Sequence, residues 1–187
     1  MTEIAPAFGA LLVFTALLGF GYTGAVTLVG TLVWPDQAEG SLAEQDGEIV
    51  GSRLLAQPFT DPGYLWPRPS ASGYNADPGL DRAARALSYP SNLGPTNPDL
   101  IAAIEELVGV YGAGVPVDQV TGSGSGLDPH LSLAAAQWQA PRIAEARRVA
   151  EATVRQVIDD HVISWPGRRY VNVLEVNLAL DSLTTAG

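Results

Sequence analysis

The residue types best suited to chemistry are concentrated in one glycine- and serine-rich stretch, TGSGSGLDPH, at residues 121–130. A glycine-rich loop that leads into a helix can hold an anion on its backbone N–H groups. Ser125, Asp128 and His130 also have the residue types of a nucleophile, an orienting acid and a base. Three interpretations stay open for this loop: a structural turn with a helix cap, a binding loop, and a catalytic site.

The established phosphate-binding and catalytic patterns do not match this loop. A P-loop needs Lys followed by Ser or Thr after its last glycine, but all ten basic residues of the chain are arginine. The GxGxxG pattern fails because residue 127 is leucine. The nucleophile elbow fails because neither Ser123 nor Ser125 has glycine two residues to either side. A membrane-tethered hydrolase that uses Ser125 and His130 is therefore only a third hypothesis.

A second polar loop, SNLGPTNP at residues 91–98, is typical of a rigid turn. Its last two residues predict the start of a helix, with Asn97 as the N-cap and Pro98 in the first helical position. We interpret this loop as structural.

Two charged clusters could suggest ligand binding. We interpret both as solvated helix faces, since charged runs generally face water. We interpret the histidine of the second cluster as a packed or capping side chain. The first cluster comprises Arg142, Arg147 and Arg148, and the second comprises Asp159, Asp160 and His161.

The composition excludes several classes of function. The chain has 187 residues and a net charge of −10, which disfavours a nucleic-acid partner because phosphate binding relies on basic residues. With no cysteine and two histidines, thiolate chemistry is excluded and a multi-histidine metal site is disfavoured. A hydrophobic fraction of 47% rules out disorder throughout the chain. We expect no metal site.

The N-terminal region predicts a membrane anchor. No charged side chain lies between Glu3 and Asp36. Residues 7–34 would form a helix of about 42 Å, which exceeds the roughly 30 Å hydrocarbon core of a bilayer. A signal peptide would need a basic start and a shorter apolar run, and a buried helix is rarely apolar on every face. The acidic flank after residue 35 favours a cytoplasmic N-terminus and an extracytoplasmic domain.

Residues 35–187 have the length of a single domain, which we predict to be α/β in composition (α+β) and tethered by the one N-terminal transmembrane helix. The apolar spacing and the turn residues give its elements. They are a strand over 48–56, a helical patch near 80–87, a helix from Pro98 to about Tyr111, a short helix from Asp128 to about Gln137, a longer helix that begins at Pro141, and a strand over 170–180 with Leu174, Val176, Leu178 and Leu180 on one face.

Six segments carry a family resemblance, and they follow the apolar helix in a fixed order. They are GSRLLAQ at 51–57, PGYLWPRPS at 62–70, SNLGPTNPDL at 91–100, VTGSGSGLDPHLS at 120–132, QAPRIAEAR at 139–147 and VNVLEVNLALD at 171–181. In this order the chain resembles the C chain of the bacterial Kdp potassium-transporting ATPase, the KdpC family. Two departures fall in loops: Leu65 replaces an expected Phe, and Tyr89 and Pro90 replace an expected glycine pair.

The resemblance implies a non-catalytic subunit of a four-part, high-affinity potassium uptake pump in the inner membrane. Its partners would be a channel-like potassium-selective subunit, a P-type ATPase subunit, a small single-helix subunit and membrane lipid. On this hypothesis the chain stabilises the assembled pump and acts near the potassium entrance, and it holds no cofactor firmly.

The resemblance also implies an alternative role, that of a catalytic chaperone which raises the ATP affinity of the hydrolytic subunit. The nucleotide contact would then be the loop, and ATP would be shared with the partner ATPase. An extracytoplasmic loop could not touch cytosolic ATP, so the two roles make different predictions. The loop residues concerned are Ser123, Gly124, Ser125, Gly126, Asp128 and His130.

Overall fold

A computed structural model describes residues 4–71 and 88–185 of the chain. The helical patch predicted near 80–87 lies outside the described residues. The chain divides into two compact units, Met1–Leu42 and Ala43–Gly187. The prediction of one mixed domain of helices and strands, preceded by one apolar N-terminal helix, is confirmed.

The first unit is dominated by helix α1, Ile4–Val33, which is long and apolar enough to cross a membrane. Its middle turns, Thr15–Tyr22, are π-helical. The helix has no buried residue within its own unit. Two hydroxyls bond to carbonyls of the helix itself, because Thr23 Oγ1 donates to Leu18 O at 3.0 Å and Thr31 Oγ1 to Thr27 O at 2.9 Å. The polar groups of these threonines are therefore compatible with a lipid environment. A short helix α2, Pro35–Ala38, follows.

A β-hairpin stands at the start of the second unit. Its strands are β1, Leu42–Gln45, whose first residue is the last of the first unit, and β2, Glu48–Ser52. Asp46 and Gly47 form its turn, both with positive φ, which is the Asp-Gly pattern of tight hairpins. The predicted strand over 48–56 is shorter than expected, because it ends at Ser52.

Helix α3, Pro98–Tyr111, confirms its predicted start. Asn97 Oδ1 accepts a hydrogen bond from Asp99 N at 2.8 Å, and Pro98 occupies the first turn. A single turn of helix, α4, Val117–Val120, follows. The segment after α4 is the glycine- and serine-rich loop.

The prediction of two helices between 128 and 160, divided at Pro141, is wrong in its boundaries. The chain forms strand β3, His130–Ser132, then helix α5, Leu133–Arg147, with Pro141 inside the helix, and then helix α6, Glu151–Asp160. Proline in a helix leaves the carbonyl four residues earlier without its donor. That carbonyl belongs to Gln137, and Arg155 Nη1 of helix α6 donates to it at 3.3 Å.

The predicted strand over 170–180 is also wrong beyond its first residues. After strand β4, Ile163–Trp165, the chain forms strand β5, Arg168–Asn172, and then helix α7, Val173–Thr185. Asn172 makes this switch, because its Oδ1 accepts from Leu174 N at 3.0 Å and from Glu175 N at 3.3 Å. These bonds satisfy two of the free N–H groups at the helix start.

The core lies between the second sheet and helices α5, α6 and α7. The sheet has the antiparallel order β3-β5-β4, and Leu131 pairs with Val171 across its first two strands. Both side chains are buried in one cluster with residues of the three helices. The helical members are Ala135, Ala136, Ala140, Ile143, Ala144, Val154, Ile158, Val173, Val176 and Leu180.

Candidate functional site

The candidate loop connects α4 to β3 and is closed by its own hydrogen bonds. Ser123 Oγ accepts from Asp128 N at 3.4 Å, and Ser125 Oγ accepts from Leu127 N at 3.1 Å. Gly126 N donates to Ser123 O at 3.2 Å. Both serine hydroxyls thus support the turn itself. Gly124 is exposed, and a Cβ atom placed on it would meet nothing within 4 Å.

Four other segments of the second unit fix the carbonyl groups of this loop. Each segment contributes one donor, so the loop backbone is tied to regions far apart in sequence. The four bonds are 2.7–2.9 Å long. They run from Ala56 N to Leu127 O, from Ser70 Oγ to Gly126 O, from Ser88 Oγ to Ser125 O, and from Val173 N to Pro129 O.

Arg68 holds the N-terminal end of the loop. Its Nη2 donates to Gly122 O at 2.9 Å and its Nε donates to Thr121 O at 3.3 Å. Asp118 lies 4.0 Å from the same guanidinium and also accepts from Ser132 N at 2.8 Å. The loop therefore leaves α4 and enters β3 through one connected set of bonds.

Asp128 and His130 form a pair at the C-terminal end of the loop. Asp128 Oδ1 accepts from His130 N at 3.0 Å and lies 3.1 Å from His130 Nδ1. The His130 ring also meets Tyr170 edge-on, with centroids 5.0 Å apart. Hydrogen bonding from His130 lowers the pKa of the Asp128 carboxyl below its ordinary value. Asp128 is therefore an anion at neutral pH, which opposes the binding of a second anion next to it.

Two open clefts border the loop. One, of about 430 Å³, is lined by Ser123, Gly124 and Asp128 among others. The other, of about 580 Å³, is lined by His130 together with Arg168 and Arg169. Opposite charges meet in both clefts, because Arg68 and Asp128 line each of them.

The geometry does not assemble a serine hydrolase site among the described residues. The Ser125 hydroxyl bonds Leu127 N, and His130 bonds Asp128, so no hydrogen bond joins Ser125 to His130. Within residues 4–71 and 88–185, no group of three or more His, Cys, Asp or Glu side chains could hold a metal ion.

His161 is a capping residue, as predicted. It follows the last turn of α6, and its Nδ1 lies 2.8 Å from Val157 O. The neighbouring acids bond within the protein: Asp159 Oδ1 accepts from Gln137 Nε2 at 3.0 Å, and Asp160 Oδ1 accepts from Gln156 Nε2 at 2.7 Å.

The interpretation of the arginine cluster as a solvated face is wrong for two of its three members. Arg142 donates to Pro62 O and Tyr64 O, and its guanidinium lies 3.6 Å from the centre of the Trp66 ring. Burial lowers the pKa of Arg142 to about 10, so it stays charged at neutral pH. Arg148 is exposed at the end of α5.

Arg147 is the more deeply engaged of the two, because only 11% of its side chain is exposed. It donates to Gly63 O and Leu180 O, and it pairs with Asp181 Oδ1 at 2.8 Å. These bonds connect the segment at residues 62–66 with the end of helix α7.

Sequence reasoning missed two side-chain amides that hold the same segment. Asn177 Oδ1 accepts from Leu65 N at 2.7 Å, and Asn177 Nδ2 donates to Leu65 O at 3.0 Å. Gln139 makes the equivalent pair of bonds with Trp66 N and Trp66 O at 2.9 and 3.0 Å. We call Gln139, Arg142, Arg147 and Asn177 the clamp. The available signal was a polar side chain at a position whose helical neighbours, Val173, Val176 and Leu180, are apolar.

Five of the six segments that carry the resemblance bond to one another. The clamp joins segments 139–147 and 171–181 to segment 62–70, and Arg68 joins segment 62–70 to the loop. Segment 51–57 bonds the loop through Ala56 and strand β5 through Asn172 Nδ2, which donates to Arg53 O at 2.8 Å.

A pair of glycine variants tests the bracing of the loop. Gly126 has a φ of +70°, and an added Cβ would lie 2.7 Å from Tyr89 O. We expect Gly126→Ala to lower the free energy of unfolding by about 2–3 kcal/mol, because a positive φ and a backbone clash are both imposed. Urea unfolding of the full chain in detergent measures the change. Gly124→Ala is the matched control, with an expected change under about 0.5 kcal/mol, and equal effects at both positions would contradict the described loop.

The fold and the loop together define a class of protein with one apolar N-terminal helix and one mixed α/β domain. The family model of the K⁺-transporting ATPase c chain, KdpC, matches residues 4–182. The potassium-transporting ATPase KdpC subunit of Cereibacter sphaeroides is 47% identical over 190 residues, which cover 97% of this chain and 98% of the relative. The KdpC subunit of Mycobacterium tuberculosis is 47% identical over 193 residues with the same coverage. The chain therefore belongs to the KdpC family, the c chain of K⁺-transporting ATPases.

Proposed function

We propose that this chain is a non-catalytic, single-span subunit that stabilises the assembled potassium pump. Its partners are the channel-like subunit, the P-type ATPase subunit and the small single-helix subunit of the same complex. The observation that carries the proposal is the internal bonding of the loop. Its two serine hydroxyls and its carboxylate serve the loop's own backbone and His130, which suits a structural element of an accessory subunit.

The proposed topology places residues 7–34 in the membrane, the N-terminus in the cytoplasm and residues 35–187 outside. The uncharged surface of α1 supports a position in lipid and against partner helices. The residues after 35 carry all ten arginines and nineteen of the twenty acids, so an external domain has a net charge of −9. Near the potassium entrance this charge would enrich cations locally, over a range of about 8 Å at physiological salt.

The nucleotide-chaperone role is the second candidate, and one cleft favours it. Arg68, Arg168 and Arg169 line the cleft of about 580 Å³ next to His130, and these side chains have the chemistry that recognises phosphate. The ionised Asp128 beside them and the absence of lysine from the chain weigh against a triphosphate. This role also requires the loop to face the cytosol.

The assembly role predicts that the anchor is indispensable. A chain that lacks residues 7–34 is expected to be lost from the pump, because it cannot reach the membrane or pair with partner helices. Co-purification on a tagged ATPase subunit and potassium uptake by cells measure the loss, with the full chain as the control. Normal assembly and uptake would refute the assembly role and the chaperone role together.

The absence of native cysteine makes the topology directly measurable. Ser125→Cys introduces one thiol at an exposed loop position, and Gly124→Cys provides a second site where an added side chain meets no neighbour. We expect a membrane-impermeant maleimide to label both variants in intact cells and neither in sealed inside-out vesicles. The reverse pattern would place the loop in the cytosol and make the nucleotide chaperone the leading function.

A further inference from the structure

Strands β4 and β5 form a hairpin whose end is open to solvent. Residues 164–169, which we call the hairpin tip, are all exposed. Pro166 restricts the backbone of the turn, and Gly167 has a φ of +77°, which favours glycine. Trp165 pairs with Arg168 directly across this turn, so their side chains lie on the same face of the hairpin. A short turn and a paired ladder therefore position the side chains of the tip.

The tip carries the most exposed tryptophan of the second unit. Trp165 is 67% exposed, whereas Trp138 is 37% exposed and Trp66 is half-buried. An exposed indole contributes little to the stability of its own domain. Its ring is apolar and its N–H is polar, so the boundary between lipid and water suits it well.

The tip also carries two neighbouring arginines without an acidic partner among the residues that the structure describes. Elsewhere in the domain, Arg53, Arg147 and Arg155 each pair with a carboxylate. No described acidic side chain lies within 4.0 Å of Arg168 or Arg169. Neither guanidinium donates a hydrogen bond to another described residue. The positive charge of the tip can therefore bind an external anion without breaking an internal contact.

The charge of the tip is opposite in sign to that of its domain. Residues 35–187 have a net charge of −9, whereas residues 161–172 contain two arginines and no acid. Asp118 and Asp128 line the cleft next to the tip, but each already lies within 4.0 Å of another basic side chain. An anionic surface would therefore attract the tip and repel most of the remaining domain.

The length of the connection to α1 keeps the second unit close to a membrane surface. Helix α1 ends at Val33 and the second unit begins at Ala43. The residues between them span at most about 35 Å when fully extended. Helix α2, Pro35–Ala38, shortens this reach. An anchored domain meets the bilayer surface at a high effective concentration, so a contact that is weak between separate molecules becomes populated.

We propose that the hairpin tip binds anionic phospholipid headgroups at the surface of the membrane in which the chain is anchored. Arg168 and Arg169 donate to lipid phosphate oxygens, whose geometry matches a guanidinium group. Trp165 enters the interfacial layer beside them. The contact needs the anchor and an anionic surface on either side of the membrane, so it stands or falls independently of the assembly and chaperone roles.

A spin label on the full chain in nanodiscs tests the contact, because the chain has no native cysteine. Ser164→Cys places the label at the tip, and Val110→Cys places it on α3 at a side chain that is 72% exposed. In an equimolar mixture of phosphatidylcholine and phosphatidylglycerol, we expect the label at residue 164 to gain contact with oxygen and lose contact with a water-soluble nickel chelate. The label at residue 110 should stay aqueous. An aqueous tip, equal changes at both residues, or the same result in phosphatidylcholine alone would overturn the proposal.

Charge variants test the role of the guanidinium groups in the same nanodiscs. We expect Arg168→Gln and Arg169→Gln each to lower the ratio of lipid-bound to free tip about fivefold, the effect of one arginine near an anionic surface. Arg148→Gln is the matched control, since Arg148 is exposed on another element, and it should leave the ratio unchanged. Equal losses in all three variants would show that net charge alone matters and would overturn the proposal.

Photo-cross-linking in the complete pump identifies what covers the tip there. With p-benzoylphenylalanine in place of Ser164, we expect irradiation to give a phospholipid adduct. An adduct to another pump subunit alone would overturn the proposal and identify a protein contact. If ATP binds the full chain, Arg168→Gln abolishes that binding and no lipid adduct forms, then the arginines belong to the nucleotide-chaperone role instead.

Discussion

Replacing Arg147 with alanine is expected to destabilise the second unit by about 3–5 kcal/mol, the range for breaking one partner of a buried ion pair. The side chain is 11% exposed, and its removal takes one donor each from Gly63 O, Leu180 O and the Asp181 carboxylate, which keeps its bond from the Tyr64 hydroxyl at 3.0 Å. It also removes the cation from above the Tyr64 ring, where the guanidinium carbon lies 4.8 Å from the ring centre. Urea unfolding of the full chain in detergent, followed by tryptophan fluorescence, measures the change.

Arg148→Ala is the control for this experiment. Arg148 is the next residue along, has the same charge and is exposed, so its loss should change stability by less than about 0.5 kcal/mol. If Arg147→Ala lowers the free energy of unfolding by less than about 1 kcal/mol, or if both variants lower it equally, then both arginines lie on a solvated helix face, as the sequence suggested.

Asn177→Leu is expected to cost about 2–4 kcal/mol, because it leaves two buried polar groups unpaired at once. Leu65 N and Leu65 O both bond this one side chain, and Leu65 itself is buried. Asn177→Asp should cost at least as much at neutral pH, because it buries a carboxylate at a position that is 1% exposed and places it against Leu65 O, which loses its donor. The same unfolding measurement ranks the two variants.

Ser182→Ala, on the exposed side of the same helix, provides the comparison for Asn177. Its hydroxyl bonds Ala179 O within α7, so a change under about 0.5 kcal/mol is expected. If Asn177→Leu lowers the free energy of unfolding no more than Ser182→Ala does, the role of Asn177 in the clamp is contradicted.

The sequence predicted an element correctly where the residues that determine its end are neighbours in the chain. The start of α3 was readable from Asn97 and Pro98, because the cap and the first turn are adjacent in sequence. The position of Pro141 was misread, since proline usually begins a helix and its tolerance inside α5 depends on Arg155, which belongs to another helix. The C-terminal strand was overextended because Leu174, Val176, Leu178 and Leu180 alternate, while the side chain of Asn172 starts a helix.

The candidate site also combines features that neighbouring residues predict with contacts that depend on residues far away in the sequence. The loop was recognisable from its glycine, serine, aspartate and histidine residues, but the donors that fix it come from Ala56, Ser70, Ser88 and Val173. The polar clamp was invisible for a related reason. Asn177 and Leu65 are 112 residues apart, and no periodicity links a side-chain amide to a peptide group at that distance.

This separation has a consequence for the order of events during synthesis. Leu65 is made 112 residues before the asparagine that binds its peptide group. At about 5–20 residues per second, the ribosome takes roughly 6–22 seconds to cover that interval. During this time the apolar helix α1 is already available for membrane insertion, while segment 62–70 still lacks its partners in α7. Segment 62–70, one of the six that carry the family resemblance, can therefore reach its final contacts only after Asn177 has been made.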